Sequence, residues 1–458
     1  MQPKTGLLFA ALLVLAVVTP LAAQGTFMRI YGVEGNMDWG SSVAQTPDSG
    51  YVLAGYTRSS GPGAQDVWLV RTDAAGDTMW TRTWGGADDD WAGSVALTAD
   101  GGYIITGSTY SFSGTRDLWL IRADAEGDTM WTRLHGGVRS DGGHSGVATG
   151  DGGFAIAGHT GSDSANLSDF WLVRTDAAGD TMWTRAWGGS GYDYGESVDQ
   201  TSDGGFIITG RTESFGAGGF DAWLVRTDAA GDTLWTRTYG GTGYDYGEAV
   251  AQTSDGGYIV AGRTESFGTG HQAGWLIKTD ASGDSTWSRT YGGQGSDGFY
   301  SVAQTPDGGY VVTGWTTSFG AGSVDAWLVR TDVSGDTLWT RTWGGPDDDR
   351  GSSVALTRDG GYVITGYTEY LTSLGDAWLI KTDSQGMVGV AEPGQPAPVE
   401  PVGATVMPAA RLLAELAEHP DLLVFDASGR RLPEPADVRT GVVFLRSGAT
   451  TRRVLVMD

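Results

Sequence analysis

From residue 26 to about residue 390 the chain alternates short apolar runs with small clusters of Gly, Asp, Ser and Pro. The runs are rich in β-branched and aromatic residues, and the clusters in residues that accept positive φ. This texture predicts strands joined by tight turns. No stretch of this region carries the 3.6-residue apolar period of an amphipathic helix. One run returns seven times, centred on Trp68, Trp119, Trp171, Trp223, Trp275, Trp327 and Trp378, at intervals of 51 or 52 residues. A fixed period near 50 marks supersecondary units that bury their apolar faces only against their neighbours.

Each period reads as four strands. In the sixth copy they are Ser301–Thr305 (a), Tyr310–Thr316 (b), Asp325–Asp332 (c) and Thr337–Thr342 (d), the last closed by Trp343 and the Gly344-Gly345 pair. Four antiparallel strands in a unit of this length form the blade of a β-propeller. Strands a to c occur seven times, but a full strand d follows strand c only six times. After the seventh strand c it has decayed to Gly386–Val390. Its missing copy stands at the N-terminus, where Phe27–Gly32 carries Arg29 in the place of Arg237. The predicted fold is therefore all-β: a closed seven-bladed β-propeller with four strands per blade, its N-terminal strand completing the last blade. A small C-terminal β domain follows.

The recurrent tryptophans of strands c and d sit at one position in every blade, as inter-blade packing requires. The strand-b glycines (Gly55, Gly107, Gly158, Gly210, Gly262, Gly314 and Gly366) are expected to make room for those rings. The strand-d arginines, Arg82, Arg133, Arg185, Arg237, Arg289 and Arg341, read as structural charges that protect an outer edge.

At the N-terminus one Lys precedes an apolar core from Gly6 to Val18 and small residues at Ala22 and Ala23, which marks residues 1–23 as a secretory signal peptide. No other run approaches the roughly 20 apolar residues of a membrane helix. There is no cysteine, and 55 acidic residues against 29 basic ones leave a net charge of −26. Disulfide and thiol chemistry are excluded by the first fact, and a nucleic-acid partner is disfavoured by the second.

Candidate chemistry is a ring. Five residues ahead of the strand-a valine stand Asp38, Asp90, Asp193, Asp245, Asp297 and Asp349; only the third blade departs, with Gly142 there and Asp141 beside it. Trp39, Trp91, Tyr194 and Tyr246 follow four of them. If this segment links strand d to strand a across the propeller face, the carboxylates could converge on Ca²⁺ and the aromatics could stack on sugar. The alternative is that each Asp caps its own loop, and a feature repeated in nearly every blade favours that role. No cofactor is predicted beyond that cation. The five histidines, His135, His144, His159, His271 and His419, show no metal-ligand spacing. Departures from the repeat are the other places to look: Arg139 and His144, Arg211 and Arg263 (read as b–c loop residues), Phe299 and Tyr300.

The repeat text resembles that of secreted bacterial and archaeal proteins built from D-A-W-L-V-K-T-D-x-x-G-x-x-x-W units, which implies the fold and an extracellular setting only. The hairpin Thr227–Trp235 is also similar to one found in pyrroloquinoline quinone propellers, although Asp and Gly make such turns in any family. Residues 391–403 are a Pro-rich linker. Within 404–458, Asp426, Gly429, Arg430, Gly441, Phe444 and Arg446 resemble the pattern of type IX secretion sorting domains. Val443 replaces the usual Tyr, and 404–417 reads partly helical. That resemblance implies a sorting or anchor role and the type IX machinery as a partner. The expected function is a secreted or cell-surface, non-enzymatic propeller that binds glycan or protein. The alternative is a polysaccharide hydrolase or a quinoprotein-like enzyme acting at the same face.

Overall fold

The computed structural model describes residues 25–32, 36–161, 167–369 and 375–388, together with the backbone of 405–408, 423–426, 431–432, 441–447 and 450–457 in a separate C-terminal unit. The first unit holds seven four-stranded antiparallel sheets. Blade 4 shows the pattern, with strand a β14 (Asp193–Gln200), strand b β15 (Phe206–Thr212), strand c β16 (Asp221–Thr227) and strand d β17 (Thr233–Tyr239). Numbered along the chain, blades 1 to 6 run from β2 (Asp38–Gln45) to β25 (Thr337–Trp343). Blade 7 joins β26 (Asp349–Leu356), β27 (Tyr362–Thr368) and β28 (Asp376–Thr382) to the N-terminal β1 (Phe27–Tyr31). Phe27 pairs with Lys381 and Tyr31 with Ala377, so the first strand closes the ring as the sequence predicts.

Strands b and c are buried on both faces, because each blade is sandwiched between two others. The core accordingly lies between blades. Ile207, Ala222 and Leu224 of blade 4, for example, pack with Val250, Tyr258, Val260 and Trp275 of blade 5. Each strand-d Trp meets an aromatic ring opening the next blade's strand b edge-on, as Trp235 meets Tyr258 at 5.8 Å. Phe27 takes that place at the closure, 5.8 Å from Tyr51. Each strand-d arginine from Arg82 to Arg289 lies over its own Trp and reaches an Asp in the next blade's c–d hairpin, as in Arg133 Nε to Asp180 at 3.0 Å. The arginines are structural, and they act as clamps between blades.

Two readings need correction. The strand-b glycines make room for backbone rather than for tryptophan rings. A Cβ on Gly210 would collide with the Tyr194 carbonyl oxygen of strand a, and the same carbonyl clash recurs at the other six. Strand a also begins earlier than expected, at the ring aspartate, so Asp297–Gln304 replaces Ser301–Thr305.

In the second unit the backbone forms a five-stranded sheet in the order β29-β33-β32-β30-β31. The strands are β29 (Thr405–Pro408), β30 (Leu423–Asp426), β31 (Arg431–Leu432), β32 (Gly441–Ser447) and β33 (Thr450–Met457). Thr405–Pro408 is a strand parallel to β33, where a partly helical segment was expected. Asp426 ends β30 opposite Val443, and Gly441, Phe444 and Arg446 lie in β32. Gly429, Arg430 and the segments 1–23 and 391–403, expected as signal peptide and linker, lie outside the described residues.

Candidate functional site at the centre of the ring

The ring aspartates open strand a in every blade and are fully buried. Asp245 accepts from the Gly241 N–H at 2.9 Å, the Ser266 hydroxyl at 2.6 Å and the Thr264 hydroxyl. Asp193 and Asp297 repeat the set through Ser214 and Thr212, and through Ser318 and Thr316. Asp38, Asp90 and Asp349 accept from their own loops in the same way. Blade 3 is not out of step. Asp141 pairs with Thr160 as Asp193 does with Thr212, and it accepts from the Gly137 and Gly161 amides. The residue in the valine position there is Gly146. Each carboxylate thus holds its own d–a and b–c loops together. Among the described residues no group of three His, Asp or Glu side chains gathers as metal ligands.

Three residues further on, every strand a carries a β-bulge. The extra residue is Ser41, Gly93, His144, Glu196, Glu248, Tyr300 or Ser352 in blades 1 to 7. A bulge leaves one residue out of the ladder and re-aims its side chain. The bulged strands are the innermost of each blade and neighbour one another around the ring. A structural irregularity repeated seven times therefore sets one residue per blade, of five kinds, around one axis.

Over blades 3 to 5 those side chains form a polar cluster that residues of blade 2 join. Glu196 Oε2 lies 2.7 Å from His144 Nδ1, and its Oε1 lies 2.9 Å from Arg211 Nη1. Glu248 Oε1 pairs with Arg263 Nη1 at 2.8 Å. Arg211 and Arg263 sit in strand b rather than in the b–c loop, directly across from Tyr194 and Tyr246. That register lays Arg211 4.7 Å over the Tyr194 ring and Arg263 4.3 Å over the Tyr246 ring. Phe220 and Tyr246 add a second and a third aromatic surface to Arg211, each at 5.5 Å. Arg116, the residue before strand c of blade 2, lies 4.9 Å over Trp91 and donates from Nη2 to His144 Nε2 at 3.3 Å. His159 is buried, its ring 5.2 Å from His144 and 5.1 Å from Tyr194.

Burial alone would raise both glutamates. It does raise Glu248, with Arg263 opposing. For Glu196 the burial penalty is outweighed by His144 and Arg211, which hold its carboxyl well below the usual range. Burial, then the neighbouring His144 and Arg116, drives His159 well below an ordinary imidazole, so it is neutral at physiological pH.

Of the predicted residues, Trp91, Tyr194 and Tyr246 line this cluster. Trp39 stands apart, stacked 4.7 Å from Tyr367 of blade 7. His144, Arg211 and Arg263 come together as departures from the repeat. Phe299 does not join them: it is fully buried against Tyr291 and Trp327. Tyr300 accepts from Arg350 Nη1 at 3.4 Å, and Arg139 lies exposed ahead of β10 (Asp141–Ala148). Sequence reasoning missed Arg116, Glu196 and Glu248, and left His159 unassigned. The available signal was a variable column, Ser-Gly-His-Glu-Glu-Tyr-Ser, standing before a column that is Ser in six of seven blades.

No family model matches the chain. It is 28% identical over 228 residues to the Regulatory protein FlaEY of Caulobacter vibrioides, a match that takes in 43% of this chain and 24% of that protein's length. The Pan2 WD40 domain of Neurospora crassa superposes with a TM-score of 0.45 at 10% identity, over 78% of this chain and all of that one. Sqt1 of Chaetomium thermophilum gives 0.45 at 12% identity, over 80% and 87%. The seven-bladed assignment rests on the sheets themselves.

Proposed function

We propose that the protein is an exported, non-enzymatic β-propeller that binds an extracellular glycan or protein at the centre of its ring, with the C-terminal unit as its sorting or anchor domain. The observation that carries this reading is the cluster over blades 2 to 5. There a repeat that is otherwise near-uniform spends four successive blades on His144, Glu196, Glu248, Arg211, Arg263 and Arg116, set against Trp91, Tyr194 and Tyr246. Conserving the scaffold requires none of these groups, because the other blades close without them. Buried and half-buried charges are costly unless paired, and pairing them at one central place suits recognition of a polar ligand. The signal peptide and the sorting motif supply the setting. The test is a glycan and protein array probed with the full mature chain and with a Tyr194→Ala/Tyr246→Ala variant. Selective binding lost in the variant is expected; identical profiles would overturn the assignment of the site.

One observation favours a second reading, a saccharide hydrolase. Glu196 and Glu248 occupy equivalent bulges of neighbouring strands, and their surroundings push their pKa values in opposite directions, as an acid and a base would need. Turnover of chromogenic glycosides that vanishes in Glu248→Gln would establish it.

A further inference from the structure

Arg116 is the one guanidinium of the cluster that faces an imidazole instead of a carboxylate. Arg211 and Arg263 each have a glutamate within 3 Å, whereas Arg116 makes its hydrogen bond to His144 Nε2 and leaves Nε without a hydrogen bond among the described residues. A guanidinium only donates, so it meets no negative charge at His144, whose other ring nitrogen faces Glu196. His144 thus offers Arg116 a ring nitrogen and supplies no anion.

The space for Arg116 is made by a specific departure. Blade 3 has Gly142 where blades 1, 2, 4 and 5 have Trp39, Trp91, Tyr194 and Tyr246. A Cβ at Gly142 would stand 2.8 Å from Arg116 Cζ and Nη2 and 2.7 Å from His159 Cε1. Beside it, His159 is 3% exposed and its Nδ1 has no hydrogen-bond partner among the described residues. A buried polar atom without a partner is costly, and one beside an unpaired guanidinium is an arrangement that a ligand can relieve.

We infer that Arg116, held on its Trp91 platform beside blade 3, receives the carboxylate of an acidic saccharide. Three guanidiniums face two carboxylates here, and a ligand carboxylate completes the balance. The planar fork of Arg116 matches a carboxylate, and stacking on Trp91 fixes the plane in which it is offered. Donors and acceptors alternate from Arg116 through His144, Glu196 and Arg211 to Glu248 and Arg263, and sugar hydroxyls can answer both kinds. An acidic peptide would supply the carboxylate but few hydroxyls. In a chain of net charge −26, a local cation is also what allows a polyanion to approach. This inference deepens the binding reading above and rests on it.

The test is calorimetric titration of the full mature chain with oligomers of galacturonate, glucuronate and mannuronate. Their methyl esters, the neutral hexose oligomers and a pentaglutamate peptide serve as comparisons. At least one uronate oligomer is expected to bind, and esterification is expected to weaken it at least tenfold. Arg116→Gln should do the same, and Arg116→Lys should recover part of the loss. Gly142→Ala, whose Cβ would displace the Arg116 guanidinium, should also weaken the uronate while the melting temperature of Arg116→Gln stays near that of the parent. Equal binding of acid and ester, or of parent and Arg116→Gln, would overturn the carboxylate site. Pentaglutamate binding as tightly would overturn the saccharide class. Neutral oligomers that lose binding in Tyr246→Ala but not in Arg116→Gln would remove this inference and leave the binding function standing. Silence from every saccharide and peptide would remove both.

Discussion

At the scale of single residues, the repeat separates groups that hold the ring from groups that vary upon it. Serines 42, 94, 145, 197, 301 and 353 accept a backbone N–H from the next blade's strand a at 2.8–3.4 Å. Blade 5 has Ala249 at that position, opposite Val302. Ala249→Ser is therefore expected to stabilise the protein by about 0.5–1.5 kcal/mol, the usual net worth of such a bond, as read by denaturant unfolding. The ring aspartates have the opposite character. Replacing Asp193 and Asp245 with Asn leaves loop hydroxyl and amide donors without charged acceptors, which costs roughly 1–3 kcal/mol per site. Melting curves should show that loss equally with and without Ca²⁺, because these carboxylates already accept from their own loops. A saturable Ca²⁺ increment in the parent, absent from the double variant, would instead assign the ring to a cation.

A second ring of charge lies at the opposite ends of the strands and was not read from the sequence. The strand-c cations Arg71, Arg122, Arg174, Arg226, Lys278, Arg330 and Lys381 are buried and pair with the a–b turn carboxylates Asp48, Asp100, Asp151, Asp203, Asp255, Asp307 and Asp359 at 2.5–2.9 Å. Burial would raise Asp255, but Thr253 and Lys278 together bring it down to about 2. A folded-state pKa below the unfolded one means that the folded carboxylate binds its proton less readily. Its contribution is complete above about pH 4, the unfolded value, and is lost as the pH falls towards 2. Asp255→Asn should therefore lower stability at pH 7 and converge with the parent near pH 2 in acid titrations followed by circular dichroism.

At the scale of elements, strand β1 is the clasp. It supplies Phe27 in the place of the strand-d Trp, and Arg29, which reaches Asp77 of blade 1 at 3.4 Å. Phe27 is 4% exposed and packs against Tyr51 with Gly76 beneath it. Phe27→Ala should cost about 3–5 kcal/mol, as for other buried aromatics. Deleting 26–32 should do more, by exposing the β28 edge to other chains. A truncated chain that melts cooperatively at the parent's temperature and stays monodisperse would show that closure lies elsewhere. The element-level pattern was legible because strands b, c and d carry strong apolar and aromatic runs. The start of strand a was not, since Asp-Tyr-Gly-Glu reads as a turn until cross-strand pairing shows it to be a bulged strand.

At the scale of the whole molecule, the chain divides at about residue 390 into two units, each with its own sheet or sheets. No helix among the described residues is long and apolar enough to cross a membrane. Removing 403–458 is expected to leave the propeller's melting transition close to that of the parent, since the propeller closes its own sheets without those residues. In the native host the truncated chain should accumulate in the periplasm instead of reaching the surface. Normal surface delivery would overturn the sorting assignment.

The sequence by itself determined the number of blades, the four strands in each, the closing role of Phe27–Tyr31 and the packing role of the tryptophans. All of these follow from local pattern repeated at a fixed period, and repetition turns weak strand signals into a firm one. What only the tertiary structure decided is which side chains meet. Arg116, His144, His159, Glu196, Arg211, Glu248 and Arg263 are spread over nearly 150 residues of sequence, and no spacing rule links them. They converge because ring closure brings the inner strands together around one axis. The bulge at the same point of each strand then turns a variable residue out of the ladder.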